Sequence, residues 1–242
     1  KIKIPDQNLE LEIRKLINHP TGEINEELLL PIKECKFDSV EIKDLDGLQY
    51  AQNLRSLKFK NSHIEDLSKI AELPNLVTFD IENVNIKNFS QISVFNNLTK
   101  LRIKNCKSIE LEGLYALENI TDLTLINNSL ESIKFISNMS KLESLNIENN
   151  NVKDISVLSP LRSLSWIDLG NNQVSNIEDL STLKTLSSLN ISKNEISNID
   201  PLSKATNLAW LSIANNQIRD LSPLNSLPKL RHLVIEGNAF NQ

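Results

Sequence analysis

Leu164-Ser165-Trp166-Ile167-Asp168-Leu169-Gly170-Asn171-Asn172-Gln173-Val174-Ser175-Asn176-Ile177-Glu178-Asp179-Leu180-Ser181-Thr182-Leu183-Lys184-Thr185 is one copy of a pattern that fills most of this sequence. Apolar residues stand at its first, fourth and sixth positions, and the next copy begins 22 residues on, at Leu186. The spacing runs unbroken from Ile32, Cys35 and Phe37 to Leu230, Leu233 and Ile235, and all three columns are apolar in every copy. A fixed period of this length marks a repeat architecture. The alternating centre of each unit predicts a short strand with the fourth and sixth positions inward and the third, fifth and seventh outward. Asn at the ninth position (Asn128, Asn150, Asn172, Asn194, Asn216 and Asn238) follows the strand where the chain turns. A buried amide there can bond backbone groups that the turn leaves unpaired, making a ladder from coil to coil. The period-three tail predicts a 3₁₀ turn on the far side. No unit buries its apolar face alone, so the units stack. Strands about 4.8 Å apart, backed by wider segments, bend such a stack into an arc. The predicted fold is an α/β solenoid: a curved array of 22-residue repeats with short parallel strands on the concave side and 3₁₀ or irregular segments on the convex side.

Composition follows from the repeat. The 242 residues include 39 Leu and 32 Asn, with 5% aromatics and a net charge of −5. Mixed charge with 40% hydrophobic residues excludes a disordered chain. The apolar runs are too short to insert into a membrane. An acidic balance argues against a general nucleic-acid binder. The array occupies 32–242 as nine full repeats and a partial tenth. The chain opens at Lys1 without Met and stops in the tenth unit after Phe240, so it reads as a processed piece of a longer protein that continues past Gln242.

Residues 1–31 lack the repeat. Leu9, Ile13, Leu16 and Ile17 share one side of a helix that starts after Pro5-Asp6, His19-Pro20-Thr21-Gly22 breaks it, and Asn25-Glu26-Glu27-Leu28 begins a second short helix. This amphipathic segment is expected to cap the open end of the first coil. Ile4-Pro5-Asp6-Gln7-Asn8-Leu9, Thr21-Gly22-Glu23-Ile24-Asn25, Asn198-Ile199-Asp200-Pro201-Leu202 and Asp220-Leu221-Ser222-Pro223-Leu224 resemble the internalin family, the leucine-rich-repeat surface proteins of Gram-positive bacteria. The resemblance covers essentially the whole chain. Units one to four depart from it: Val40, Ser62, Val84 and Cys106 replace the ladder Asn, and Asn61, Asn83 and Asn105 sit one position earlier, which predicts an incomplete ladder near the N-terminus.

Chemistry-bearing residues are few. Cys35 and Cys106 lie three coils apart, on the order of 14 Å by strand spacing, too far for a disulfide, and read as small buried hydrophobes. His19, His63 and His232 fall in distant units and make no metal cluster, and no phosphate loop, nucleophile elbow or zinc-protease motif occurs. Sequons occur, for instance at Asn97, Asn119, Asn127, Asn138 and Asn190, and most arise from the repeat itself. The array therefore reads as non-enzymatic, without cofactor or metal.

Both tryptophans of the chain fall in one outward column: Trp166 and Trp210, with Ser188 between them. They are expected about 10 Å apart, by twice the strand spacing. Exposed tryptophan has the composition of an interface anchor. Asp168, Asn190 and His232 supply polar surroundings, and Ile126, Ala214 and Val234 add outward apolar area. Units one to four place Lys36, Lys58, Lys60, Lys100, Arg102 and Lys104 outward against Glu34, Asp38, Asp80 and Glu82, with Lys58, Lys60, Arg102 and Lys104 as a strip suited to steering a partner; units five to ten place only Asp122, Glu148, Asp168 and Glu236 as charges in these columns. The expectation is a monomeric protein-binding module using its concave face. The resemblance implies a bacterial surface or secreted protein of adhesion and virulence type, engaging a host receptor or an iron-carrier protein. The rival reading is an intracellular regulatory scaffold holding a phosphatase or other enzyme on the same face.

Overall fold

The computed structural model describes residues 1–107 and 109–240; Ser108, Asn241 and Gln242, expected within the array, lie outside the described residues. The chain divides into two compact units, Lys1–Asn119 and Ile120–Gln242.

The first unit opens with α1 (Gln7–Ile17) and α2 (Glu26–Leu29). Asp6 starts α1 because one carboxylate oxygen accepts the N–H groups of Asn8 and Leu9 that the first turn leaves free. Its other oxygen accepts from Lys43 and Asp44 at 2.7 and 3.2 Å, fastening the cap to the first repeat. Burial alone would raise the Asp6 pKa, but these four N–H donors together hold it below the ordinary value. Asn25 starts α2 in the same way, accepting from Leu28 N–H. The cap is narrower than the helical spacing predicts. Leu9 and Ile13 are buried, but Ile17 is only half-buried and Leu16 is 47% exposed. The bonds from Asp6 and from Asn8 to the Glu41 carbonyl hold the first turns of α1 to the repeat, and its last turn extends beyond that contact.

Four parallel strands follow in chain order: β1 (Glu34–Asp38), β2 (Ser56–Ile64), β3 (Thr78–Ile86) and β4 (Lys100–Lys104). Cys35 pairs with Leu57 and Leu57 with Phe79, so each rung of the sheet is one repeat of 22 residues. Phenylalanines fill this core: Phe37 stacks on Phe59 at 5.3 Å, Phe59 meets Phe79 edge-on at 6.3 Å, and Phe79 lies 5.9 Å from Phe95. Cys35 and Cys106 are both buried.

The second unit holds six parallel strands in chain order: β5 (Asp122–Ile126), β6 (Ser144–Asn146), β7 (Trp166–Asp168), β8 (Ser188–Asn190), β9 (Trp210–Ser212) and β10 (His232–Val234). In both units the repeat tails form the expected 3₁₀ turns, such as Ser68–Ile70 and Glu178–Leu180. The three apolar columns are buried from Ile32 to Ile213; in the tenth copy Leu230 and Ile235 are half-buried and Leu233 is 40% exposed.

Asparagine does three separate jobs. The ninth-position amides form the expected ladder in the second unit. Asn172 Nδ2 donates to the carbonyls of Ile147, Leu169 and Gly170, and its Oδ1 accepts from Val152 N–H. Asn150, Asn194, Asn216 and Asn238 repeat the arrangement. The eighth position is a corner: in every unit, from Ser39 to Gly237, its residue is left-handed, with φ between 50° and 73°. Asn tolerates that conformation better than most L-residues. Asn61, Asn83 and Asn105 are therefore corner residues in their proper column rather than displaced ladder residues. The corner amides also bond one another, Asn83 to Asn61 at 2.8 Å and Asn171 to Asn149 at 2.7 Å. A third column closes the repeat: Asn53, Asn75, Asn97, Asn119 and Asn207 each donate to a carbonyl 23 residues back, at 2.7 to 3.0 Å.

Where the ladder amide is missing, the backbone pairs with itself. Ser62 and Val84 occupy the ninth position of β2 and β3, and these strands continue past the corner, with Ser62 opposite Val84 and Ile64 opposite Ile86. They run nine residues, against three for β6 to β10.

Replacing Asn172 by Ala leaves buried carbonyls and the Val152 N–H without partners and should cost about 3 kcal/mol, read from chemical denaturation; a loss under about 1 kcal/mol would show that the ladder is dispensable. Lys193 stands at a corner where the neighbouring units carry Asn171 and Asn215. Lys193→Asn should raise the thermal midpoint, and Lys193→Val should lower stability by about 1 kcal/mol, since a β-branched side chain resists the left-handed region. Equal midpoints for the two variants would contradict a conformational role.

Candidate functional site

The outward columns of the second unit build one cleft. Trp166 and Trp210 are 39% and 37% exposed, and Ser188 is in register with both. Trp166, Asp168, Ser188, Asn190 and Trp210, with Ile167 of the core, line a cleft of about 420 Å³. The rings stand because the fourth-position side chains beside them, Ile167 and Leu211, take the inward places. Ser188 is short and leaves the space between them open.

Asp168 forms part of the lining. Its Oδ1 accepts from Gly170 N–H at 2.8 Å, the same turn that Asn146 makes with Glu148 and Asn190 with Ser192. Gly170 has a steric reason: a Cβ there would lie 3.0 Å from Asp168 Oδ1 and 3.1 Å from Asn190 Nδ2. Burial pushes the Asp168 pKa up, and the bonds from Gly170 and Asn190 only partly oppose it. Glu148 is also raised, by burial and then by the Asp168 charge, with Lys193 as the opposing cation. The sequence showed both carboxylates as outward charges; their coupling emerges only from the packing.

Other expected residues fall differently. His232 is exposed and in register with Trp210, continuing the column. Ile126 and Val234 are half-buried, and Ala214 is buried at 4% exposure, so it adds no apolar surface. Its carbonyl accepts from Lys193 N–H and Asn216 Nδ2, which holds this stretch of backbone against the neighbouring coil, and a methyl side chain is too short to reach out from it.

The basic strip belongs to the first unit and is described there by itself. Lys58 pairs with Asp80 and Lys60 with Glu82, each at 3.6 Å. Arg102 and Lys104 stand in register with the same two acids from the other side. β3 thus places its acids between basic residues, and this face carries alternating rows of charge. Among the described residues, no group of three or more His, Cys, Asp or Glu is arranged to hold a metal.

A sequence model of the leucine-rich repeat region fits residues 28–242. The chain belongs to the leucine-rich repeat family. Its fold is of the internalin type: an internalin of Listeria monocytogenes, InlF, superposes with a TM-score of 0.83 at 25% identity, over 99% of this chain and 78% of that one. Internalin C2 of the same organism gives 0.66 at 24% identity, over 96% and 93%. A plant peptide hormone receptor, RGFR1 in complex with RGF2, shares the fold at a TM-score of 0.66 and 24% identity, over 80% of this chain and 34% of that one. No curated protein matches significantly in sequence. Leucine-rich repeats as a family are protein-interaction scaffolds presenting an extended binding surface.

The raised Asp168 sets a pH dependence. A carboxyl whose folded pKa lies above its unfolded value binds its proton more tightly when folded, so its ionisation destabilises the fold as pH rises through that window. Asp168→Asn should therefore raise the thermal midpoint at pH 7, with the gain shrinking toward pH 3, where wild-type Asp168 is itself neutral. An equal gain at both pH values would show that charge is not the cause.

Proposed function

We propose that this leucine-rich repeat chain is a non-enzymatic protein-binding module of a bacterial surface or secreted protein, engaging a host protein through the strand face of its second unit. The observation that carries the reading is the pair Trp166 and Trp210. Both tryptophans of the sequence stand partly exposed on one face, around one cleft. Each ring leaves more than a third of its surface exposed, and Trp is among the residue types enriched at interface anchors. Adhesion to a host receptor or capture of an iron-carrier protein is the form of the activity that the internalin likeness favours. The solved complex of the plant receptor with RGF2 supports ligand binding as a use of this fold. Among the described residues no helix is long and apolar enough to cross a membrane.

The basic residues of the first unit have a secondary place in this reading. Among the described residues, Lys58 and Lys60 are in ion pairs, whereas Arg102 and Lys104 are not held at ion-pair distance. Their contribution would be to association rate and its salt dependence rather than to residence time.

The test is capture of host-cell surface proteins by the immobilised chain, compared with the double variant Trp166→Ala and Trp210→Ala. The wild type should retain a defined protein that the double variant loses by about tenfold or more. The variant's thermal midpoint should stay within a few degrees of the wild type. Undiminished capture would remove the tryptophans from the interface and the reading with them.

A further inference from the structure

We infer that the cleft between Trp166 and Trp210 receives a basic side chain, the arginine or lysine of an exposed basic segment on the protein partner, with Asp168 as its counter-charge. The inference rests on the protein-binding reading and names what the anchor site holds.

Three observations lead there. First, the cleft has aromatic walls and a carboxylate in its lining: Trp166, Trp210 and Asp168 border the same space. Indole faces attract cations more strongly than any other side chain's, and arginine stacks on them as a planar group. The rings rise from strands two rungs apart, about 10 Å by strand spacing. A planar cation stacked between two rings needs two gaps of about 3.5–4 Å, which that separation accommodates.

Second, Asp168 is in no ion pair among the described residues, whereas Asp80 and Glu82 in the first unit are paired with Lys58 and Lys60. The third, fifth and seventh positions of β5 to β10 carry Asp122, Glu148, Asp168 and Glu236 and no Lys or Arg. Lys193, at a corner, acts on Glu148.

Third, the alternatives cost more. An apolar plug seated on the tryptophans would bury Asp168 without a partner, leaving a charge removed from water and uncompensated. An acidic or phosphorylated segment would meet Asp168 and Glu148 as like charges. A guanidinium meets both demands, since it stacks on the rings and forms a charge-assisted hydrogen bond to the carboxylate.

The two tryptophans are the whole indole content of the protein, so emission excited at 295 nm reports on this cleft alone. The probe is acetylated, amidated tri-arginine, compared with tri-citrulline, which has nearly the same shape without the charge, and with tri-glutamate. Tri-arginine should change the emission saturably, with weaker binding in 0.5 M NaCl. Tri-citrulline and tri-glutamate should give no saturable change. Asp168→Asn should weaken tri-arginine binding about tenfold, while Glu178→Gln, an exposed acid on the 3₁₀ turn Glu178–Leu180, should leave it unchanged.

An absent response to tri-arginine, an equal response to tri-citrulline, or equal weakening by the two acid variants would overturn the inference. Its failure is separable from that of the protein-binding reading. If Trp166→Ala with Trp210→Ala abolishes capture of a host protein while Asp168→Asn leaves it intact, the tryptophans anchor a partner but no basic side chain lies between them.

Discussion

A coil of 22 residues that turns a corner away from water must bond the backbone groups it turns inward, and everything else in this structure depends on how that is done. In the second unit one amide per coil does it. Asn172 donates to three carbonyls, two in its own coil and one in the coil before, and accepts an N–H from the latter. Each amide thus ties two coils together while satisfying groups that would each cost on the order of 1–3 kcal/mol if left bare. Because a side chain carries these bonds, the strands need be only three residues long. The first unit reaches the same end by a different route. With Ser62 and Val84 in the ladder column, β2 and β3 run on through the corner and pair backbone to backbone.

Much of this was legible in the sequence because the repeat length is also the rung of the sheet. Matching Cys35 with Leu57 or Trp166 with Ser188 needed only the period, and the register agrees with it at every strand pair described within each unit. The ninth-position ladder followed from a buried amide placed where a chain turns. The corner column was harder to read, since its role is conformational: Asn83 and Lys193 share a φ near 50°, which no hydropathy pattern reveals. The column of Asn53, Asn75 and Asn207 was missed because Lys141, Ser163, Thr185 and Lys229 interrupt it. Thr185 nevertheless uses its hydroxyl on the Arg162 carbonyl much as Asn207 uses its amide on that of Lys184.

The candidate site shows the same division. That Trp166 and Trp210 stand outward follows from alternation along a strand, which spacing reveals. The period also sets Lys58 beside Asp80, but whether they pair, and the burial of Ala214, depend on where side-chain ends come to rest. The difference decides which charges are available. Acids and bases interleave on the first unit's strand face, whereas the corresponding positions of β5 to β10 are acidic alone. The structural columns of the second unit, at the first, fourth, sixth, eighth and ninth positions, leave the third, fifth and seventh to the strand face, except where Thr124, Gly170, Ser212 and Ala214 serve the packing. Those are the columns in which this chain's surface chemistry resides.

The buried thiols carry a practical consequence. Cys35 and Cys106 both belong to the first unit, and Trp166 and Trp210 both belong to the second. Burial drives the Cys35 pKa up to about 12 and raises that of Cys106, so neither is an effective nucleophile while its coil is intact. Alkylation of the cysteines in denaturant therefore records the opening of the first unit, and the shift of indole emission to longer wavelength records that of the second. The wild-type protein already contains a separate clock for each half of its unfolding.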